Sequence, residues 1–388
     1  MSLSSPVSVV ALAYVLASVG FAQPAGARVE IAAAAQPRVT LGGAGRVWLV
    51  YGQPGEAAPA VADHAAHADG KKAKGHAPRG RSGELLVARS TDGGNTFAPA
   101  TRVAALPKLA LGLRRGPRLA VHGDRLTVTA IGDEMVSFGS TDGGRTWGGP
   151  VRINEVVTSA REGLHDLAGG PAGELFVTWL DLRNGAMELW GAMSRDGGRS
   201  WARNELVYKS PDKSICECCH PVALFDAEGN LAVMWRNSIE GARDMWMTTR
   251  ARGAAGFGPA RKIGEGTWKI AGCPMDGGQL LALGGGRFGA VFQRNGEVFL
   301  ARGEGPETRL GAGKQPVAVQ DGNAAPVVIW QQGTDLVRME VRDGAAPVKV
   351  AAEARFPSVV ASPGAEGLLL AYERGPARGA TSVVVERL

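Results

Sequence analysis

Three eight-residue segments of this 388-residue chain are nearly identical: Ser90-Thr-Asp-Gly-Gly-Asn-Thr-Phe97, Ser140-Thr-Asp-Gly-Gly-Arg-Thr-Trp147 and Ser194-Arg-Asp-Gly-Gly-Arg-Ser-Trp201. They recur about every 50 residues, a spacing typical of one supersecondary unit per repeat. Each segment has the chemistry of a hairpin turn. Asp92, Asp142 and Asp196 can accept backbone N–H bonds, the paired glycines permit φ > 0, and Phe97, Trp147 and Trp201 can tuck under a sheet.

A longer frame surrounds the segments. It opens on a Pro and a short apolar strand, continues into a second strand that often ends in an aromatic, and adds a third strand before the turn. The prolines are Pro37, Pro117, Pro221, Pro274, Pro316 and Pro357, with His165-Asp166 in that place in the third unit. The second strands end at Tyr51, Ala130, Trp179, Trp235, Phe292, Trp330 and Tyr372. The fourth unit keeps the frame but reads Arg250 to Phe257 where the turn belongs, and the last three units are shorter. The count predicts an all-β fold, a single propeller of seven blades over residues 28–388, with six blades as the alternative. Arg28-Val-Glu-Ile31 is expected to complete the last blade and remove two exposed sheet edges.

The chain carries 56 Gly and 22 Pro without a low-complexity tract, as frequent turns between short strands require. Its formal charge of +6 comes from scattered Arg, with no basic stripe interleaved with aromatics, which argues against nucleic acid as a partner. Residues 1–27 read as a removed signal peptide: an apolar run from Val7 to Val19 precedes small residues near Ala22 and Ala27, although no basic residue precedes Arg28. The expectation is a monomeric periplasmic or secreted protein without a membrane span.

The repeated segments resemble the Asp-box (BNR) repeat of the sialidase superfamily. That resemblance implies a β-propeller in which the boxes are structural, although known sialidases have six blades. It also implies that the loop leading into each innermost strand shares a face with the loop between strands two and three, opposite the boxes. On this geometry Ile215-Cys-Glu-Cys-Cys-His-Pro221 and Gly272-Cys-Pro-Met-Asp276 become neighbours, with Arg161, Glu162, His165 and Asp166 beside them. All four cysteines, Cys216, Cys218, Cys219 and Cys273, then converge.

Three chemistries compete for that cluster. Two disulfides suit an exported protein with an even cysteine count. A thiolate metal centre would use the four cysteines, with His220 or Met275 auxiliary, to hold Cu(I) or, as the alternative, Zn(II). A redox dithiol comes third, because the spacing lacks Cys-x-x-Cys. A polar insertion at about 53–83 adds His64, His67 and His76, which read either as a metal-capturing arm or as a charged loop that contains histidines.

Sialidase chemistry itself requires an arginine triad, a Tyr–Glu nucleophile and an acidic general acid. The family's Phe/Tyr-Arg-Ile-Pro motif is missing, since the corresponding region reads Ala35-Gln-Pro-Arg-Val39. Tyr51 and Tyr372 read as packing residues, Tyr208 lacks an obvious Glu partner, and Arg161, Arg236 and Arg355 are not placed as a triad. The chain also resembles a group of exported sialidase-like proteins through Cys216–Cys219, Arg243-Asp244 and Trp268–Gly277, a likeness that implies no activity. The leading expectation is a binding propeller with a thiolate metal site in its axial funnel. A sialidase-like glycoside hydrolase using Glu162, Asp166 or Asp276 is the alternative. A disulfide-stapled scaffold that binds a glycan or another periplasmic protein is the third.

Overall fold

A computed structural model describes residues 28–55, 81–303, 306–320, 324–362, 367–376 and 379–388. They form seven four-stranded antiparallel sheets arranged as propeller blades. The innermost strands are Ala35–Leu41, Arg118–His122, His165–Gly169, Val222–Phe225, Gln279–Ala282, Lys314–Val319 and Ala354–Ala361. Blade seven closes as expected: Arg28–Ile31 pairs antiparallel with Ser382–Arg387, with Arg28 opposite Glu386, and becomes its outer strand. No helix among the described residues is long and apolar enough to cross a membrane. The expected signal segment and His64, His67 and His76 lie outside the described residues.

Every blade is sandwiched between two others, so its second strand is buried on both faces and reads as an unbroken apolar run. Leu231–Arg236 is buried throughout, and Trp179, Trp235 and Trp330 at the ends of such strands are fully enclosed. Tyr51 and Tyr372 are likewise packing residues, 4% and 2% exposed.

The Pro that opens the repeat marks a bulge. In blades one, six and seven the pairing register shifts at Gln36-Pro37, Gln315-Pro316 and Phe356-Pro357, and the residue before each Pro has φ of 54°, 55° and 53°. Proline cannot donate to a ladder, so the chain bends there and enters the axis. Blade five departs from the expected frame. Gln279 pairs with Val291, which places Gly278 (φ 99°), not Pro274, at the repeat position. The loop before blade five therefore runs four residues longer than the proline spacing implied.

The boxes join blades together. In the second box Asp142 Oδ1 accepts the N–H groups of Arg145 and Thr146 at 3.0 Å, and Ser140 Oγ accepts Gly144 N–H at 2.9 Å. These bonds to the charged form, led by the Thr146 hydroxyl, pull the Asp142 carboxyl well below its ordinary range. Each second glycine abuts the preceding blade: Gly94 faces Leu369, Gly144 faces Trp48 and Gly198 faces Thr127. Thr127 and Ser137 of blade two donate to the carbonyls of Gly197 and Gly198, both at 2.8 Å. At Gly198 (φ 78°) an added Cβ would lie 2.5 Å from Thr127 Cγ2. Gly198→Ala is expected to cost at least the ~1–2 kcal/mol of a left-handed non-glycine residue, measurable as a lower urea midpoint. Gly185→Ala, also at positive φ (77°) but with open space around it, supplies the comparison that isolates the contact.

Candidate metal centre

The loop leading into blade four is held at both flanks before it turns. Ile215 N–H donates to Met187 O and Cys216 N–H to Arg236 O, each at 3.0 Å. A tight turn then brings Cys216 back onto Cys219, the i to i+3 closure of a reverse turn. Cys216 Sγ lies 3.5 Å from Cys219 Sγ and 3.7 Å from Cys218 Sγ, and the three sulfurs lie within 4.8 Å of one another. All three are buried, with Met275 packed against them. Cys273 is exposed and lies outside this three-sulfur group, although its thiol and that of Cys218 perturb each other. The sulfur separations far exceed the ~2.05 Å of a disulfide. They approach the ~3.8 Å expected between sulfurs that ligate one ion tetrahedrally at ~2.3 Å.

The three sequence signatures meet at this point. Arg243 N–H donates to Trp268 O and Trp268 N–H to Asp244 Oδ1, each at 2.8 Å, so the Arg243-Asp244 pair clasps the segment that carries Cys273. Asp276 N–H points at Cys219 Sγ at 3.4 Å. The Arg243 guanidinium acts electrostatically on Cys216. Arg236 is buried behind them and donates to the carbonyls of Asp276, Arg243 and Gln293 at 3.1, 2.7 and 2.7 Å. It thereby ties the two cysteine loops to blade five.

Hydrogen bonds from Cys218 and Cys219, aided by the positive Arg243, hold the Cys216 thiol well below its ordinary pKa. Its neighbours respond in the opposite sense. Cys218 is pushed up, first by its hydrogen bond to Cys216, and Cys219 is pushed up by burial. Cys273 is lowered by its hydrogen bond with Cys218. Burial opposes the Arg243 charge, but the Cys216 thiolate outweighs it and raises that guanidinium. The surroundings favour the thiolate form at Cys216, next to a permanent cation.

Other expected residues lie around the centre in different roles. His220 is outside the three-sulfur group: its Nε2 contacts Gly278 O at 3.1 Å and its ring lines the central axis. Glu162 lies beside Arg115, whose charge also feels Cys218 and Cys273, and burial raises its carboxyl pKa against the pull of Arg115. Asp166 bonds Arg118 Nε and Ala223 N–H, each at 3.1 Å, and is a structural brace between blades. Asp276 is raised by burial, and one of its oxygens accepts Gln315 N–H. Arg236 and Arg355 do not form a triad, since Arg355 pairs with Glu373 at 3.1 Å. Arg161 is exposed beside Glu162. Tyr208 stacks on Trp235 at 4.5 Å and accepts a bond from Asn237. The polar insertion leaves the propeller from this same face, where Pro54 pairs with Gly83 and Gly52 abuts Leu111 of the next leading loop.

His165 is 1% exposed, with Nε2 against the Thr129 hydroxyl at 3.1 Å, and burial holds its pKa well below the ordinary value. The unfolded chain binds a proton there below about pH 6.5 that the native state refuses. Stability is therefore expected to fall as pH drops below that value, by up to ~1.4 kcal/mol per pH unit from this residue. Urea titrations at pH 7 and 5.5 check the slope, which should shrink in His165→Asn.

No family model matches the chain, and a comparison with curated proteins finds no match. Among solved structures, a protein of unknown function from Dyadobacter fermentans is similar at 15% identity and TM-score 0.52, over 94% of this chain and 99% of that one. Trypanosoma rangeli sialidase, solved with sialic acid, matches at 12% identity and TM-score 0.44, over 92% of this chain and 54% of that one. This chain thus spans about half the length of that enzyme. The α-L-arabinofuranosidase Arb93A of Fusarium graminearum matches at 14% identity and TM-score 0.49, over 70% of this chain and 92% of that one. The Dyadobacter likeness carries the fold and nothing about activity. With seven closed blades and three box turns that contact the preceding blades, the chain is a seven-bladed β-propeller with a buried cysteine cluster on the face opposite its boxes.

Proposed function

We propose that this protein is an exported binding propeller whose cysteine cluster holds a soft metal ion, Cu(I), with Zn(II) as the alternative. The observation that carries the reading is the set of three buried sulfurs within 4.8 Å of one another. Soft thiolates select Cu(I) and Zn(II) over hard cations. Cys216, Cys218 and Cys219 are the core ligands. Cys273, exposed and outside the three-sulfur group but influenced by Cys218, is the ligand that an arriving ion meets first. Arg243 offsets the negative charge that several thiolates around a monovalent ion would leave. Export is supported by the apolar N-terminal run, which gives the centre an extracytoplasmic supply of metal.

The glycoside hydrolase reading has less behind it. Asp166 and Asp276 spend carboxylate oxygens on neighbouring backbone N–H groups, while burial raises the carboxyl pKa of both Glu162 and Asp276. Protein recovered from copper-supplemented periplasm is expected to carry stoichiometric copper that resists dialysis. Metal-free protein with four titratable thiols after the same treatment would overturn the proposal.

A further inference from the structure

The central channel of the propeller contains a second site, unrelated to the sulfurs. The residue after the repeated Pro position points along the axis in every blade, giving a ring of Arg38, Arg118, Asp166, Val222, Gln279, Val317 and Ser358. These side chains, together with Arg114 and His220, line a cavity of about 190 Å³. Drug-sized ligands occupy pockets of roughly 300–1,000 Å³, so this one suits a smaller molecule.

Its charge is unbalanced. Arg118 pairs with Asp166 and also donates to the carbonyls of Gly116, Pro117 and Arg114. Arg114 is 4% exposed and donates to Pro357 O and Gln315 O, while its buried Nε has no partner. Arg38 lines the cavity with neither a carboxylate nor a carbonyl acceptor among the described residues. Three guanidinium charges therefore face one committed carboxylate. Of the nearby acids, Glu373 is bound to Arg355 and Gln36, and burial pushes Asp276 toward its neutral form. Burial lowers the Arg114 and Arg118 pKa values to about 9, and Arg38 is the next contributor to each. His220 feels the same field, since all three arginines add to the burial that lowers its pKa.

We propose that the axial cavity binds a small oxyanion, inorganic or carboxylate, with Arg38 as its principal donor. A guanidinium matches such a group through two parallel N–H bonds, and an anion there relieves the mutual repulsion of the three arginines. Arg38 has no structural partner to lose, so Arg38→Met leaves the fold intact while removing the donor.

The test is calorimetric titration of the purified protein with phosphate, sulfate and acetate, at ionic strength fixed with chloride. Saturable one-site binding of at least one anion is expected, weakened at least tenfold in Arg38→Met and partly recovered in Arg38→Lys. Phosphate and sulfate binding without acetate would identify an inorganic ligand, and the reverse would identify a carboxylate. No saturable binding of any of the three, or equal binding by Arg38→Met, would overturn the assignment. Metal content plays no part in this titration, so it stands or falls independently of the cysteine centre.

Discussion

Cys216→Ser is expected to abolish stoichiometric Cu(I) binding while the propeller stays folded. Cys216 is the sulfur that touches both others, at 3.5 and 3.7 Å, and the one whose thiolate is stabilised by Arg243. Thiolate-rich structural sites bind zinc with apparent free energies of about 10–16 kcal/mol at neutral pH, so losing one of three sulfurs lowers affinity by orders of magnitude. Serine is close in shape and keeps a polar group beside Arg243, so the unfolding midpoint of the metal-free protein should hardly move. Anaerobic Cu(I) loading against a competing chelator, followed by elemental analysis, measures the effect. Asp142→Ala is the converse control, because it injures a box on the opposite face and should retain the metal.

The second large effect is expected at Arg236. Arg236→Met keeps the apolar volume but orphans the carbonyls of Asp276, Arg243 and Gln293. Each buried acceptor left without a donor costs about 1–3 kcal/mol, so a stability loss of at least ~3 kcal/mol is expected by urea denaturation. Two of those carbonyls belong to the loops that carry Arg243 and Asp276, so copper affinity should fall with stability. A variant that loses stability but keeps full affinity would show that Arg236 supports the blades alone.

Much of this architecture was legible in the chain because its repeats have strong local chemistry. Ser-x-Asp-Gly-Gly turns tolerate little variation: the Asp must accept two N–H groups, and both glycines must adopt φ > 0. Closure through Arg28–Ile31 was readable because the seventh unit lacked an outer strand. Blade five misled the proline frame, since Gly278 does the bending that Pro does elsewhere. The three buried cysteines lie together as their segment implied, whereas Cys273 stays outside the three-sulfur group and reaches it only through its influence on Cys218. His220 illustrates the limit of adjacency: it follows Cys219 directly, yet backbone geometry turns its ring to the axis.

The axial arginines were missed for a different reason. Their signal was present, since Arg38 and Arg118 each follow the repeated Pro, but alternation along a strand has meaning only once the inward face is known. Arg114 acts from an irregular loop and has no sequence period. Arg236 merely ends a second strand in the sequence, and its three carbonyl partners come from segments up to 57 residues away.

Native mass spectrometry of copper-loaded protein, before and after thiol alkylation, tests the central claim most directly. The expected result is one copper ion per chain, no disulfide mass deficit, and cysteines that resist alkylation until the metal is stripped. A metal-free chain carrying two disulfides would contradict it and return the cluster to a covalent staple between blades.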